Sequence, residues 1–153
     1  MLIKLLGVIL VAAAGVIPAI RVGLKERRRL ARTEAFFSLC RLALEQTAAL
    51  GAAVPEILRR AEELCSACGA AEPDAAALVT AAEENLPTEG VRAVEQVFGS
   101  AAGTREEQVA RCRAAVAVME SIYKKQSEEF RGKLRTGIVL PLSAAAIALL
   151  LLW

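Results

Sequence analysis

The chain has 153 residues, enough for one domain, and its formal net charge of +2 conceals two regions of opposite sign. Residues 33–130 contain nine basic and sixteen acidic residues, a net charge of −7, whereas the residues on either side are basic. An acidic domain repels the phosphate backbone, so the composition excludes nucleic acid as a partner of this region.

The first predicted element is an apolar segment at the N-terminus. Residues 1–20 carry one charge, on Lys4, and a group of basic residues follows: Arg21, Lys25, Arg27, Arg28, Arg29 and Arg32. Because basic residues stay on the cytoplasmic side during insertion, we predict a transmembrane helix over residues 1–24 that begins outside the cytoplasm. The alanines at 12–14 also suit a cleaved signal peptide, but the arginines beyond would resist translocation, so a retained anchor is favoured.

Residues 25–135 are predicted to form a cytoplasmic bundle made only of helices. They are rich in Ala, Leu, Glu and Arg and lack the alternating apolar runs typical of strands. The first helix is expected to continue from the membrane to about Ala49, before Gly51, and the second to run from Pro55 to Gly69. Their apolar faces are Phe36, Phe37, Cys40, Leu44 and Thr47 in the first, and Ile57, Leu58, Ala61, Leu64, Cys65 and Cys68 in the second.

Two shorter helices are predicted next. Pro73 and Asp74 open one, and Thr88 is the expected N-cap of the other, after a break at Pro87. Helices of this length are not stable alone in water, so they must pack on their neighbours. The residues predicted to face inward are Leu78, Val79 and Ala82 in the first, and Val91, Val94, Val97 and Phe98 in the second.

The last helix is predicted to be the longest. Thr104 and Glu107 have the spacing of a capping box, and no strong terminator precedes Pro141, so we expect a nearly continuous helix into the final segment. Its apolar residues recur at spacings of three and four: Val109, Cys112, Val116, Met119, Tyr123, Gln126 and Phe130. This seam either packs on the domain's own first helix or uses its membrane-proximal half, 119–130, to bind another copy or another protein.

The final element is a second apolar segment. Residues 138–153 carry no charge and follow three basic residues, Arg131, Lys133 and Arg135. We therefore predict a transmembrane helix over residues 136–153, with its far end outside the cytoplasm. Sixteen residues cover about 24 Å of a ~30 Å apolar layer, and snorkelling by the basic residues makes up the difference. The two basic groups that flank the predicted spans are here called the collars.

Four cysteines lie in the predicted bundle, where the cytoplasm would keep them reduced. Cys65 and Cys68 match the C-x-x-C spacing of zinc and redox sites. Because the chain has no histidine and no second C-x-x-C, we favour burial as small apolar residues and keep a metal site at these two cysteines as the alternative. No cofactor is expected.

Few residues suit catalysis. Without histidine, no Ser or Cys nucleophile has an imidazole base, and no phosphate-loop motif is present. Gly99 and Gly103 bracket a loop that lacks the lysine of a phosphate cradle, so we assign them, like Pro55, to backbone geometry. Paired glutamates such as Glu83 and Glu84 are consecutive on a helix and do not face each other. We therefore expect that the chain is not an enzyme.

Several motifs follow one another in a recognisable order. They are the N-terminal span with its collar, the helix of Phe37-x-x-x-x-Leu42, the run Val54-Pro55-Glu56-Ile57-Leu58-Arg59-Arg60-Ala61, and the turn Val97-Phe98-Gly99-Ser100-Ala101-Ala102-Gly103 followed by Glu106-Glu107-Gln108. A long charged helix and a final apolar span complete the series. In this order and spacing the chain resembles the stage III sporulation protein AB family, from the membrane complex that endospore-forming bacteria build between mother cell and forespore.

This resemblance implies a fold and a role. The fold is a bundle of about six helices, similar to the cytoplasmic domain of the type II secretion inner-membrane platform protein, anchored by two transmembrane helices. The role is a platform in the outer forespore membrane, on the mother-cell side, that receives a cytoplasmic ATPase (stage III sporulation protein AA) and other membrane subunits. Self-association stays open. The alternatives are a platform of another secretion or pilus-like system and a membrane-anchored thiol sensor of metal or redox state.

Overall fold

A computed structural model describes residues 2–99, 103–139, 143 and 146–147. The regular secondary structure of these residues is entirely helical, which confirms the prediction of an all-α bundle. Six α-helices follow in order: α1 (Leu2–Leu50), α2 (Val54–Arg60), α3 (Glu62–Cys68), α4 (Ala75–Asn85), α5 (Thr88–Val94) and α6 (Arg105–Leu134). Two π-helical turns, Glu95–Gly99 and Arg135–Val139, follow α5 and α6 directly.

The chain divides into two compact units. The bundle unit consists of Arg29–Lys125, and the terminal unit of Met1–Arg28 and Gln126–Trp153. The predicted N-terminal membrane helix falls on α1, whereas most of the predicted C-terminal one, 136–153, lies outside the described residues. In the part of the chain that is described, no helix combines the length and the apolar character needed to cross a bilayer.

The core of the bundle unit draws one apolar face from each of its helices. Burying one large apolar side chain contributes roughly 1.5–3 kcal/mol. Among the predicted inward residues, Val79 and Val91 are only half-buried, at the edge of the core. The largest fully buried apolar side chains are Phe36, Leu39, Ile57, Leu58, Leu78, Val94, Val97 and Met119.

Glycines end α1 and α3, as predicted. Gly51 and Gly69 have φ angles of +63° and +94°, which glycine adopts without the steric cost of a Cβ. The Gly51 N–H donates to the Thr47 carbonyl at 3.1 Å. Arg105, at the start of α6, donates to the carbonyls of Thr47 and Ala48, so a cation also lies at the negative end of α1.

The capping box predicted at the start of α6 is present. The Thr104 hydroxyl accepts a hydrogen bond from the Glu107 N–H at 3.3 Å, and Oε2 of Glu107 accepts one from the Thr104 N–H at 3.1 Å. Two N–H groups are thus satisfied reciprocally at this helix end. Asp74 caps α4 in a similar way, because its carboxylate accepts from the Ala76 N–H at 3.3 Å.

The prediction of one helix from Pro55 to Gly69 is wrong. The helix is interrupted at Ala61, where φ and ψ are −104° and 26°, and so becomes α2 and α3. The Ala61 N–H is shared between the carbonyls of Ile57 and Leu58, at 3.0 and 3.2 Å. Ala61 is buried and is neither glycine nor proline, so no local helix breaker marks the interruption.

The N-cap of α5 is Pro87, so the prediction of Thr88 at this position is wrong. Pro87 has φ and ψ of −67° and 161°, and its carbonyl accepts from the N–H groups of Gly90 and Val91 at 2.8 and 3.1 Å. The fixed φ of proline suits this position, and its missing N–H has no bond to lose before the helix begins. Thr88 is the first helical residue and lies exposed.

The seam of α6 packs inside the bundle unit on a face rotated from the predicted one. Its buried residues are Cys112, Ala115, Met119 and Ile122. Val116 and Tyr123 are half-buried at the edge of that face, and the Tyr123 ring stacks on Phe37 of α1 with centroids 6.2 Å apart. With the contacts of Arg105, this stacking supports packing of the seam on the chain's own first helix.

Candidate functional site

All four cysteines are free thiols buried in the core of the bundle unit. Burial raises the pKa of each thiol, that of Cys40 to about 12, and a neighbouring thiol adds to the effect at Cys40 and Cys68. The Cys65 thiol donates to the Leu58 carbonyl at 3.8 Å. Within the described residues, no group of three potential metal ligands converges. Cys65 and Cys68 therefore lie in the core as small apolar side chains.

The buried thiols predict a loss of stability in alkali. The Cys40 thiol has a pKa of about 12 in the folded chain, against an ordinary value of 9.0. Between these two values the thiol ionises only when unfolded, which favours unfolding by about 1.4 kcal/mol per pH unit for each such thiol. The urea midpoint of the full chain should therefore stay constant from about pH 7 to about pH 8 and fall above about pH 9.

A Cys40→Ala, Cys68→Ala variant is the matched control, because tyrosine and lysine also titrate in alkali. Its urea midpoint should fall less steeply above pH 9 than that of the parent chain. A maleimide should also leave all four thiols of the native chain unmodified at neutral pH and modify them in urea. Equal slopes for the two chains, or rapid labelling without urea, would show that the thiols are not enclosed.

The bundle unit concentrates negative charge on α3, α4, α5, the π-helical turn Glu95–Gly99 and the loop between α3 and α4, and these helices pack against one another in chain order. Residues 61–99 contain eight acidic residues and a single basic one, Arg92. All eight carboxylates are exposed. This group, here called the acidic surface, consists of Glu62, Glu63, Glu72, Asp74, Glu83, Glu84, Glu89 and Glu95.

The ion pairs of the bundle unit lie outside the acidic surface. Three acidic side chains there pair with a basic side chain one helical turn away: Glu45 with Arg41, Glu56 with Arg60, and Glu120 with Lys124. In the described part of the chain, no carboxylate of the acidic surface takes part in such a pair. Exposed ion pairs add little stability, so the consequence of leaving the carboxylates unpaired is a negative potential that attracts a basic partner.

The collars are exposed, and one contact joins them in the terminal unit. Nζ of Lys133, from the second collar, lies 2.8 Å from Oε1 of Glu26, a residue within the first. The basic residues of both collars that belong to this unit are exposed: Arg21, Lys25, Arg27, Arg28, Arg131, Lys133 and Arg135. The two stretches of predicted collar are therefore neighbours in space.

Arg32 differs from the other collar residues. Its guanidinium donates to Oδ1 of Asn85, at the end of α4, and passes beside Gly69, where a Cβ would lie 3.8 Å from it. Nδ2 of Asn85 in turn donates to the Ala81 carbonyl at 2.7 Å. Arg32 thus joins α1 to α4 inside the bundle unit, and it is exposed, as is Arg29 of the same unit.

The residues predicted to shape turns occupy helix ends. Pro55 lies in the first turn of α2, where the N–H that it lacks would have no partner in the helix. Gly99 ends the π-helical turn, and Gly103 precedes the cap of α6 with a φ of +149°. The loop residues between them, 100–102, lie outside the described residues.

Gly103 and Gly99 should respond differently to alanine. Gly103→Ala places a Cβ at positive φ and 2.9 Å from Oε2 of Glu107 in the capping box, so we expect a loss of about 1–3 kcal/mol in unfolding free energy. Of the described residues, Gly99→Ala meets only the flexible Glu95 side chain, at 3.3 Å, and should change stability by less than about 0.5 kcal/mol. Urea unfolding of both variants checks this, and equal losses would contradict the assignment.

A buried glycine that sequence reasoning missed sets the distance between α5 and α6. At Gly90 a Cβ would lie 3.1 Å from Cδ1 of Ile122 and 3.2 Å from Cβ of Leu86. Both distances are shorter than ordinary van der Waals contact, so glycine lets the two helices approach closely here. The signal that could have found it is a glycine inside a helix of valine and alanine, which costs about 1 kcal/mol relative to alanine.

The described residues thus offer an acidic surface, exposed collars and enclosed thiols. The acidic surface and the collars provide exposed charge, which is typical of binding surfaces. Comparison of the chain with known protein families, with curated proteins and with solved structures found no match in any of the three.

Proposed function

We propose that the chain is a non-enzymatic, membrane-anchored platform subunit whose bundle unit docks a cytoplasmic ATPase. The observation that carries this proposal is the acidic surface, with eight exposed and unpaired carboxylates on adjoining helices and one arginine among them. Such a surface raises the encounter rate with a basic partner and disfavours acidic partners such as nucleic acid.

The hydropathy of the two ends supports anchoring in a membrane. Residues 1–20 and 138–153 carry a single charge between them, and a collar borders each on its inner side. Under the positive-inside rule, this pattern belongs to a two-pass protein whose ends are outside the cytoplasm and whose middle region is inside. A chain built in this way presents its middle region to the cytoplasm, where an ATPase can reach it.

The ordered motifs that resemble the stage III sporulation protein AB family support a particular machine. In that machine the chain would be a platform in the outer forespore membrane, with stage III sporulation protein AA as its ATPase and further membrane subunits around it. A platform of another secretion or pilus-like system would use the same surfaces, and the genes next to this one distinguish the two.

Co-purification from sporulating cells tests the proposal. The full chain, tagged and extracted in mild detergent, should retain stage III sporulation protein AA, and less of it as salt rises from about 0.1 M to about 0.5 M, because exposed charges are screened. A strain without the chain should fail to complete its spores. Absence of the ATPase at low salt, together with normal spores in the deletion strain, would exclude the proposal.

A further inference from the structure

The terminal unit presents a concentrated positive charge. Residues 20–28 and 126–139 contain seven basic and three acidic residues, a net charge of +4. All seven basic side chains are exposed, and five of the seven are arginine, whose planar guanidinium binds phosphate through two parallel hydrogen bonds. The charge and the donor geometry both suit a phosphate group.

The ion pair between Lys133 and Glu26 shows that the collar residues of the terminal unit lie on one surface. The atoms of this pair are 2.8 Å apart, and the side chains are 54% and 28% exposed. A pair with this exposure adds little to stability, so it does not hold the helices together, but its distance shows that the end of α6 lies beside α1 in the terminal unit. It also neutralises Glu26, the one acidic residue within the first collar.

Large apolar side chains are exposed among these basic residues. Ile20, Val22 and Leu24 of α1 are 47–55% exposed, and Val139, after α6, is 55% exposed. A soluble phosphate or a nucleic acid would leave these side chains in water. The boundary of a bilayer accepts both groups, because the apolar side chains enter the acyl region while the basic ones reach the headgroups.

We infer that the collar residues of the terminal unit together form one binding surface for anionic phospholipids, with headgroup phosphates held by the exposed arginines and lysines. The inference rests on the proposed function, which places the terminal unit in a bilayer. It adds a lipid class to that function, because zwitterionic lipids carry no net charge to complement the surface. Each basic residue near an anionic lipid surface is worth about a fivefold change in binding.

Lipid selectivity of the full chain tests this inference. The chain is reconstituted into phosphatidylcholine vesicles that contain spin-labelled phosphatidylglycerol or, separately, spin-labelled phosphatidylcholine. The spectrum of lipid immobilised by the protein should give an association constant about fivefold higher for phosphatidylglycerol at about 0.1 M salt, falling towards equality as salt is raised. Millimolar inorganic phosphate should leave the ratio unchanged, because the surface requires a lipid. Displacement by phosphate would overturn the assignment to lipid.

Two variants test whether the preference for phosphatidylglycerol depends on the collars. The collar variant carries Arg21→Gln, Arg28→Gln, Arg131→Gln and Arg135→Gln, and its preference should fall below about twofold. The control removes the same charge from exposed positions of the bundle unit, with Arg59→Gln, Arg92→Gln, Arg113→Gln and Lys125→Gln, and should keep the fivefold preference. Equal losses in both variants would overturn the inference by showing that net charge alone sets the preference.

The possible failures are distinguishable. Immobilised lipid with no preference for phosphatidylglycerol would overturn the inference and leave the proposed function standing. Absence of immobilised lipid of either kind would show that the chain does not enter a bilayer, and would overturn the proposed function as well.

Discussion

Replacing Gly90 by leucine should lower the free energy of unfolding by about 3 kcal/mol. The first added atom, Cβ, would lie 3.1 Å from Cδ1 of Ile122 and 3.2 Å from Cβ of Leu86, and the rest of the side chain has to enter the contact between α5 and α6. Leucine favours a helix by almost 1 kcal/mol over glycine, so the measured loss is what overpacking costs beyond that gain. Urea unfolding of the full chain measures it as a lower midpoint at constant slope.

Two further variants make this test specific. Gly132→Leu places the same side chain on an exposed position of α6, where no described residue lies within 4 Å of its Cβ, and should leave stability unchanged or raise it slightly. Adding Ile122→Ala to Gly90→Leu should recover at least about 1 kcal/mol relative to the sum of the single changes, because it opens space where the leucine must fit. Additive losses would show that Gly90 is not held by this contact.

Neutralising the acidic surface should weaken ATPase binding about tenfold or more at about 0.1 M salt, without changing stability by more than about 0.5 kcal/mol. The variant carries Glu63→Gln, Glu72→Gln, Glu84→Gln and Glu89→Gln, all at exposed positions. Glutamine keeps the shape of each side chain and removes its charge, so the loss should fall mainly on the association rate. Surface plasmon resonance of the full chain in nanodiscs measures both rates as a function of salt.

The matched control removes four exposed carboxylates from other parts of the chain. It carries Glu34→Gln, Glu106→Gln, Glu128→Gln and Glu129→Gln. This control should bind the ATPase within about twofold of the parent chain and keep its salt dependence. If the control binds the ATPase as weakly as the first variant, net charge alone attracts the ATPase. If the first variant binds as tightly as the parent chain, the ATPase contacts another part of the chain.

Rules that involve only neighbouring residues predicted the structure correctly wherever one residue determines the backbone conformation. Gly51 and Gly69 end helices at positive φ because glycine has no Cβ, and Thr104 with Glu107 forms a capping box from groups three residues apart. These features need no knowledge of distant residues. The all-α fold follows in the same way from helix formers with apolar spacing.

Features that depend on distant residues could not be predicted in this way. The helix is interrupted at Ala61, which is buried and is not a helix breaker. Gly90 is required by Ile122, which lies on another helix, and Arg32 turns from the collar to Asn85, 53 residues away. In α6 the heptad spacing indicated a seam, but it did not show that Ile122, which faces Gly90 of α5, is buried while Tyr123 stacks on Phe37 of α1 at the edge.

The candidate binding surfaces likewise combine features that the sequence shows with features that only the fold shows. Net charge along the chain was visible in the sequence, and so was the acidic character of the middle region. Which carboxylates are unpaired was not visible, because Glu63 and Glu89 also have an arginine three or four residues away and yet, unlike Glu56, form no ion pair among the described residues. The joining of the two collars also depends on a contact between residues far apart, Glu26 and Lys133.

Photo-crosslinking in sporulating cells tests most directly whether the acidic surface is where the ATPase docks. A photoreactive amino acid replaces Glu84 on the acidic surface in one strain and Arg113, exposed on α6, in another. The account predicts an adduct between the chain and stage III sporulation protein AA from position 84 and none from position 113. An adduct from position 113 alone, or none from position 84 in cells that contain the ATPase, would contradict the account.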